Sequence, residues 1–189
     1  MYRNFALVIA TLATFPAAAA QEVYVGDPGH TIASFETGHL GISWVRGRFN
    51  KTTTARIVID RAAGTGSIEA VIDTASVDTG HGGRDEHLRS DEYLDVAKFP
   101  TITFKSNRLK FNGENLVDAD GELTIMGVTK PVNLKVSMFR CIQHPVNKKA
   151  MCGAEASVAI KRSEFGVKRS AAGIADDVKI SVQVEAYKE

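Results

Sequence analysis

The sequence predicts an all-β fold, an antiparallel barrel of about eight strands, on three observations. Apolar and polar residues alternate with a period of two along most of the chain. Turn signals separate the alternating segments. One segment alone, residues 80–96, breaks the period. Side chains of a strand point to opposite faces in turn, so strict alternation gives each segment one apolar and one wet face. One-sided strands close naturally into a barrel, which removes exposed sheet edges.

The chain opens with a segment that is not part of the barrel. Arg3 is the only charge in residues 1–20; an apolar run from Phe5 to Phe15 follows it, then Pro16 and Ala18-Ala19-Ala20. This reads as a secretory signal cleaved after Ala20, with Gln21 as the mature N-terminus. The apolar run falls short of the roughly 20 residues a helix needs to cross a bilayer, and no later stretch is longer. The expected product is therefore exported and soluble, not an integral membrane protein. Residues 21–189 suit one domain with a good core. The 189-residue chain carries 23 basic and 22 acidic residues, and losing Arg3 balances them. That balance gives no electrostatic case for nucleic acid or for an anionic membrane surface.

The clearest strands lie in the C-terminal half. Val178, Ile180, Val182, Val184 and Ala186 alternate with Lys179, Ser181, Gln183 and Glu185. Val132, Leu134, Val136 and Met138 alternate with Asn133, Lys135 and Ser137, and Val117, Ala119, Gly121, Leu123 and Ile125 with acidic residues and Thr124. Weaker alternation covers residues 31–37, 55–60, 68–73, 102–105 and 154–161. Turn signals stand between them: Asp27-Pro28-Gly29, Ala63-Gly64-Thr65-Gly66, Asn112-Gly113 and Met126-Gly127.

Residues 80–96 read GHGGRDEHLRSDEYLDV. One or two helical turns are expected over residues 84–89, with Leu88, Tyr93 and Leu94 as the greasy positions, lying over one mouth of the barrel. Cys141 and Cys152, the only cysteines, are expected to pair in an oxidising compartment. Parity complicates the pairing. Met138 shares the inward face with Val136, which turns Cys141 outward, whereas Ala154 and Ala156 turn Cys152 inward. Either a β-bulge near Phe139–Arg140 or irregular chain at the hairpin tip is needed to reconcile them.

No arrangement suggests catalysis. There is no Gly-x-Ser-x-Gly elbow, no His-Glu-x-x-His helix and no glycine-rich phosphate loop between strand and helix. His81 and His87 lack an evident third partner for a metal.

Several segments carry a family resemblance in order along the chain. They are His30 to Phe35, His39-Leu40-Gly41 with Val45 to Phe49, Val77 to Gly80, Arg84 to Ser90, Phe99 to Ser106, Gly121 to Val132, and Arg162 to Val167. Together the chain resembles the YceI-like family of periplasmic, lipocalin-like polyisoprenoid-binding proteins. The resemblance implies an extended eight-stranded antiparallel barrel around a lipophilic tunnel, a periplasmic location, and a long-chain isoprenoid ligand such as a polyprenyl phosphate or a respiratory quinone. It also implies a homodimer as an option, and no cofactor besides the bound lipid.

Parity supplies the candidate ligand wall: Ala33, Phe35, Ile72, Ile102, Phe104, Leu123, Ile125, Leu134, Val136, Ile160, Ile180 and Val182. Leu88, Leu94 and Phe165 join it at the mouth. Arg84 or His87 would offer hydrogen bonds to a head group, since the guanidinium fork suits a phosphate. Asp85 would cap backbone donors or pair with an arginine. His39 shares the parity of Phe35 and points inward, and Trp44 would be a plug or wall. Small inward residues (Ala33, Ala119, Gly121 and Ala156) would leave room down the axis. Two alternatives stand beside this reading: a barrel filled by its own side chains that acts as a ligand-free interaction domain, and an enzyme with its site in residues 80–96.

Overall fold

The computed structural model describes residues 21–167 and 173–189; the expected signal and its cleavage after Ala20 lie outside the described residues. The strands, in chain order, are β1 (Glu22–Gly26), β2 (Ile32–His39), β3 (Ser43–Phe49), β4 (Thr52–Asp60), β5 (Thr65–Asp73) and β6 (Val77–Asp78). Helix α1 (Gly82–Arg89) follows, then β7 (Thr101–Asn112), β8 (Asn115–Ile125), β9 (Val128–Gln143), β10 (Ala150–Lys161) and β11 (Ile174–Lys188). Every pairing is antiparallel.

These pieces form a closed barrel of eight staves, because β1 with β2, β3 with β4, and β5 with β6 are interrupted single staves. The interruptions have local causes. In the first, Asp27 accepts from Gly29 N–H on its side chain and from His30 N–H on its carbonyl, making the Asp-Pro-Gly turn. The second and third are stitched together. Asp73 caps a 3-10 turn at Thr74–Ser76, and Ser76 accepts from Lys51 N–H on its hydroxyl and from Asn50 N–H on its carbonyl. Closure comes from β11, which pairs with β10 on one side and with both β1 and β2 on the other.

The weakly patterned N-terminal segments are strands as well. β1 and β3 carry no long alternation; in β3, Val45, Gly47 and Phe49 face inward between Arg46 and Arg48. Gly47 hides the pattern, and its missing side chain is where the Phe35 ring lies: a Cβ there would sit 2.5 Å from the ring edge.

A bulge settles the cysteine parity. Glu155 faces Met138 but Ala156 faces Val136, so Ser137 is left over on β9. The bulge lies just before the Phe139–Arg140 position expected from sequence, and it reverses the face of all that follows. Met138, expected inward, is outward and 44% exposed. Phe139 turns in instead and packs on the core. Cys141 then lies directly opposite Cys152 in the ladder, and the two form a disulfide.

That end of the barrel is plugged. Tyr24, Ile59, Cys152 and Ala186 form a small cluster there, with Ile57, Phe111 and Phe139 against it. A polar knot covers it. Glu22 accepts from Arg61 Nε–H at 2.7 Å, from Lys188 Nζ–H at 2.8 Å and from the Tyr24 hydroxyl at 3.0 Å. Chiefly through Lys188, with Arg61 and Tyr24 adding, these partners hold the Glu22 carboxyl at about 2 against an ordinary 4.5, although partial burial pulls the other way. A carboxyl with a depressed native pKa stabilises the fold above its unfolded pKa, and loses that contribution as pH falls. Glu22→Gln is therefore expected to cost about 1–2 kcal/mol at neutral pH. The gap between variant and parent should close as pH falls from about 4.5 towards 2, as read by urea denaturation at each pH.

Candidate functional site

The inward faces of the staves do not fill the barrel. They enclose a cavity of about 270 Å³ that runs from the helix-covered mouth towards the plugged end. The filled-barrel alternative fails on this point, for a geometric reason. Alanines 33, 119, 154 and 156 stand at inward positions on the wall, and larger side chains reach only part of the way across.

The wall is hydrocarbon with its few hydroxyls turned away. Thr37 donates to the Asp177 carbonyl at 3.0 Å, beside a second carbonyl, that of Ala175, at 3.2 Å. Thr52 donates to the Thr31 carbonyl, Thr31 to that of Glu185 and Ser34 to that of Ser181. Each of these hydroxyls is committed to the backbone of the wall, so the chamber is offered their carbon atoms. Arg162, the one charged residue on the lining among the described residues, is at the mouth and donates to the Ala175 and Ile174 carbonyls.

The structure brings most of the parity-derived residues onto this one surface. Ala33, Phe35, Ile72, Ile102, Phe104 and Leu123 line the cavity, as do Ile125, Leu134, Val136, Ile160, Ile180 and Val182. Leu88, Leu94 and Phe165 close over the mouth. Phe35 also meets Phe49 with ring centroids 5.8 Å apart.

Five of the candidate residues lie off the lining. Trp44 is on the outward face of β3 and 58% exposed, neither plug nor wall. His39 is at the barrel rim opposite Ile174, and it is Ile174 that faces the chamber. The other three, Arg84, Asp85 and His87, belong to α1 and are held by its architecture. His81 caps the helix through Nδ1, which accepts from Arg84 N–H. Asp85 is buried and accepts from both the Thr79 N–H and the Thr79 hydroxyl. Arg84 donates to the Thr79 hydroxyl at 2.7 Å and to its carbonyl at 2.9 Å. His87 pairs with Glu92 at 2.6 Å and stands edge-on to Tyr93. Of the two groups expected to greet a head group, Arg84 instead fastens the helix to the chain before it, and His87 pairs with the chain after it. The helix itself begins at Gly82, two residues earlier than expected.

Sequence reading missed Phe49, Ile68, Leu116 and Val158, which also line the chamber, and the rim residue Arg162. Ile68 and Val158 lie in segments already read as strands, and extending the parity would have found them. Gly121 corrects in the other direction. It leaves no room down the axis, because the Phe104 ring fills the space; a Cβ would meet that ring at 2.7 Å and the Lys105 carbonyl at 2.5 Å.

Fold and chamber together define the class, a lipocalin-like β-barrel that encloses an apolar cavity. The YceI-like domain profile matches residues 24–186, and the chain belongs to that family. It is 36% identical over 160 residues to a UPF0312 protein of Pseudomonas aeruginosa strain LESB58, a match that covers 85% of this chain and 83% of the relative. Among solved structures it is similar to Burkholderia cenocepacia BcnA, at TM-score 0.72 and 25% identity over 85% of this chain and 98% of that one. A polyisoprenoid binding domain from Saccharophagus degradans, implicated in plant cell wall breakdown, shares the fold at TM-score 0.65 and 20% identity, covering 88% of this chain and 98% of its own.

The glycine–aromatic contact is open to a direct check. Gly121→Val is expected to cost about 2–4 kcal/mol, because either the Phe104 ring or a ladder carbonyl must move. Gly153→Ala, whose new Cβ would find its nearest neighbour at 3.8 Å, should stay within about 1 kcal/mol. Midpoints of denaturant unfolding at unchanged slope would measure both.

Proposed function

We propose that this protein is a periplasmic lipid-binding protein. In this reading it holds a long-chain isoprenoid, a polyprenyl phosphate or an isoprenoid quinone, in the barrel for transport, storage or buffering. The carrying observation is the committed state of the wall hydroxyls. A chamber whose threonines and serine bond their own backbone attracts a ligand by burial, not by directed bonds. Burying a five-carbon isoprene unit is worth roughly 4 kcal/mol gross, at about 0.8 kcal/mol per carbon, before the cost of association.

The size of the chamber shapes the proposal. At about 270 Å³ it lies near the lower edge of the roughly 300–1,000 Å³ usual for small-molecule pockets. A prenyl tail would therefore lie extended along the axis, with its head at the Arg162 rim. The name of the Saccharophagus neighbour, a polyisoprenoid binding domain, agrees with this ligand class. The disulfide suits an oxidising compartment such as the periplasm. The reading is of a binding protein and not an enzyme, because Arg84 and Asp85 of the mouth segment are engaged in holding α1 to Thr79.

Organic extraction of the purified protein followed by mass spectrometry tests the proposal. The expected result is a prenyl chain or quinone in near-stoichiometric amount, retained by His87→Ala and reduced about tenfold by Ala156→Phe, which fills the chamber. An extract without lipid, even after incubation with a quinone mixture, would overturn the reading.

A further inference from the structure

The tip of the β2–β3 hairpin presents three large apolar side chains to solvent. Leu40 is 58% exposed, Ile42 84% and Trp44 58%. The tip belongs to the mouth end of the barrel: Leu40 N–H donates to the Gly173 carbonyl, and the neighbouring Ile174 lines the chamber. The turn is also an unusual place for leucine. Leu40 has φ +54° and Gly41 φ +68°, both left-handed, at the two central positions of the turn that Ile42 N–H closes on the His39 carbonyl, where Asn, Asp or Gly is the usual choice. The sequence thus places a bulky residue in a strained backbone conformation and leaves most of it in water. The covered part of Leu40 lies against the backbone at Gly173, where an added Cβ would collide with it, while Ile42 and Trp44 stay mostly in water.

The order of residues behind the tip indicates what covers it. Trp44 lies about 7 Å up the strand from Ile42 and Arg46 about 13 Å. Trp44, Arg46 and Arg48 share the outward face of β3. Opposite Trp44 stands Gly38, so the indole has no side chain beside it in the ladder. At the level of Arg46, two cations, Arg46 and Lys179, share the single carboxylate of Glu36, which leaves that row net positive. An apolar tip, an indole and then cationic side chains follow the depth order of a bilayer surface: acyl boundary, interface, phosphates.

We propose that this hairpin docks the barrel mouth on a phospholipid bilayer, with Leu40 and Ile42 entering the acyl boundary, Trp44 at the interface, and Arg46 and Lys179 facing lipid phosphates. Docking would bring the mouth to the surface where an apolar ligand enters or leaves. Its purpose rests on the lipid-binding reading, but its test reads contact with vesicles whether or not the chamber is filled.

Trp44 is the sole tryptophan, so the unmodified protein reports on its own tip. With vesicles of mixed phosphatidylethanolamine and phosphatidylglycerol, the emission of Trp44 is expected to shift to the blue and to be quenched by brominated acyl chains. Ile42→Asp should weaken vesicle partitioning about tenfold or more while leaving extracted ligand unchanged. An absent shift with no co-sedimentation would overturn the proposal, as would binding that Ile42→Asp leaves intact. A blue shift that follows protein concentration without vesicles would overturn it in favour of a second copy of the chain, since among the described residues the outer edge of β3 is paired only at Arg48 and Phe49.

Discussion

The rest of the structure depends on the seam that joins the two ends of the chain. β11 bonds β1 and β2, with Val25 opposite Tyr187 and Ala33 opposite Val182. Without that pairing the sheet would have two open edges and an apolar face in water. With it, every inward residue faces other inward residues, and a chamber forms wherever those are small. The seam is fastened at its outer end by Glu22, which grips Lys188 from the last strand and Arg61 from the end of β4. The carboxylate that binds the N-terminal strand to the C-terminal one therefore also seals the plugged end.

Closure alone would not make the interior apolar. Where staves bend or break, backbone groups lose ladder partners, and buried polar groups without partners are costly. Side-chain hydroxyls fill those places. Thr37 donates to the Asp177 carbonyl, beside that of Ala175, where the β2–β11 register slips, and Ser106 donates to the Asp120 carbonyl where β7 bulges against β8. The same hydroxyls that heal the wall are thereby withdrawn from the chamber. Phe35 and Phe104 complete it by lying over Gly47 and Gly121.

Alternation is a local signal, and it was legible along runs free of a bulge. β8 from Asp118 onward, the first part of β9, and β11 from Val178 onward announce themselves, whereas a bulge at Val117 puts Leu116 on the chamber in its place. The limits are equally physical. Parity cannot see an extra residue, so Met138 was placed inward until Ser137 reversed the count. A glycine at an inward position removes one beat of the pattern, which obscured β3. Charge near a mouth says nothing of which neighbour will claim it. Arg84 and Asp85 were legible as charged and close together, but their engagement with Thr79 depends on how α1 turns back on β6. The apolar chamber was thus readable from small and apolar inward positions, and the engagement of the charged groups near its mouth was not.

The central claim is that an apolar ligand lies inside this barrel. Methyl-detected NMR during titration with a long-chain isoprenoid quinone tests it most directly. The account predicts shifts concentrated on interior methyls, those of Ile72, Leu123, Leu134 and Ile180, with the outward methyls of Ile142 and Val146 unmoved. Shifts confined to the outward methyls, or none at saturating quinone, would contradict it.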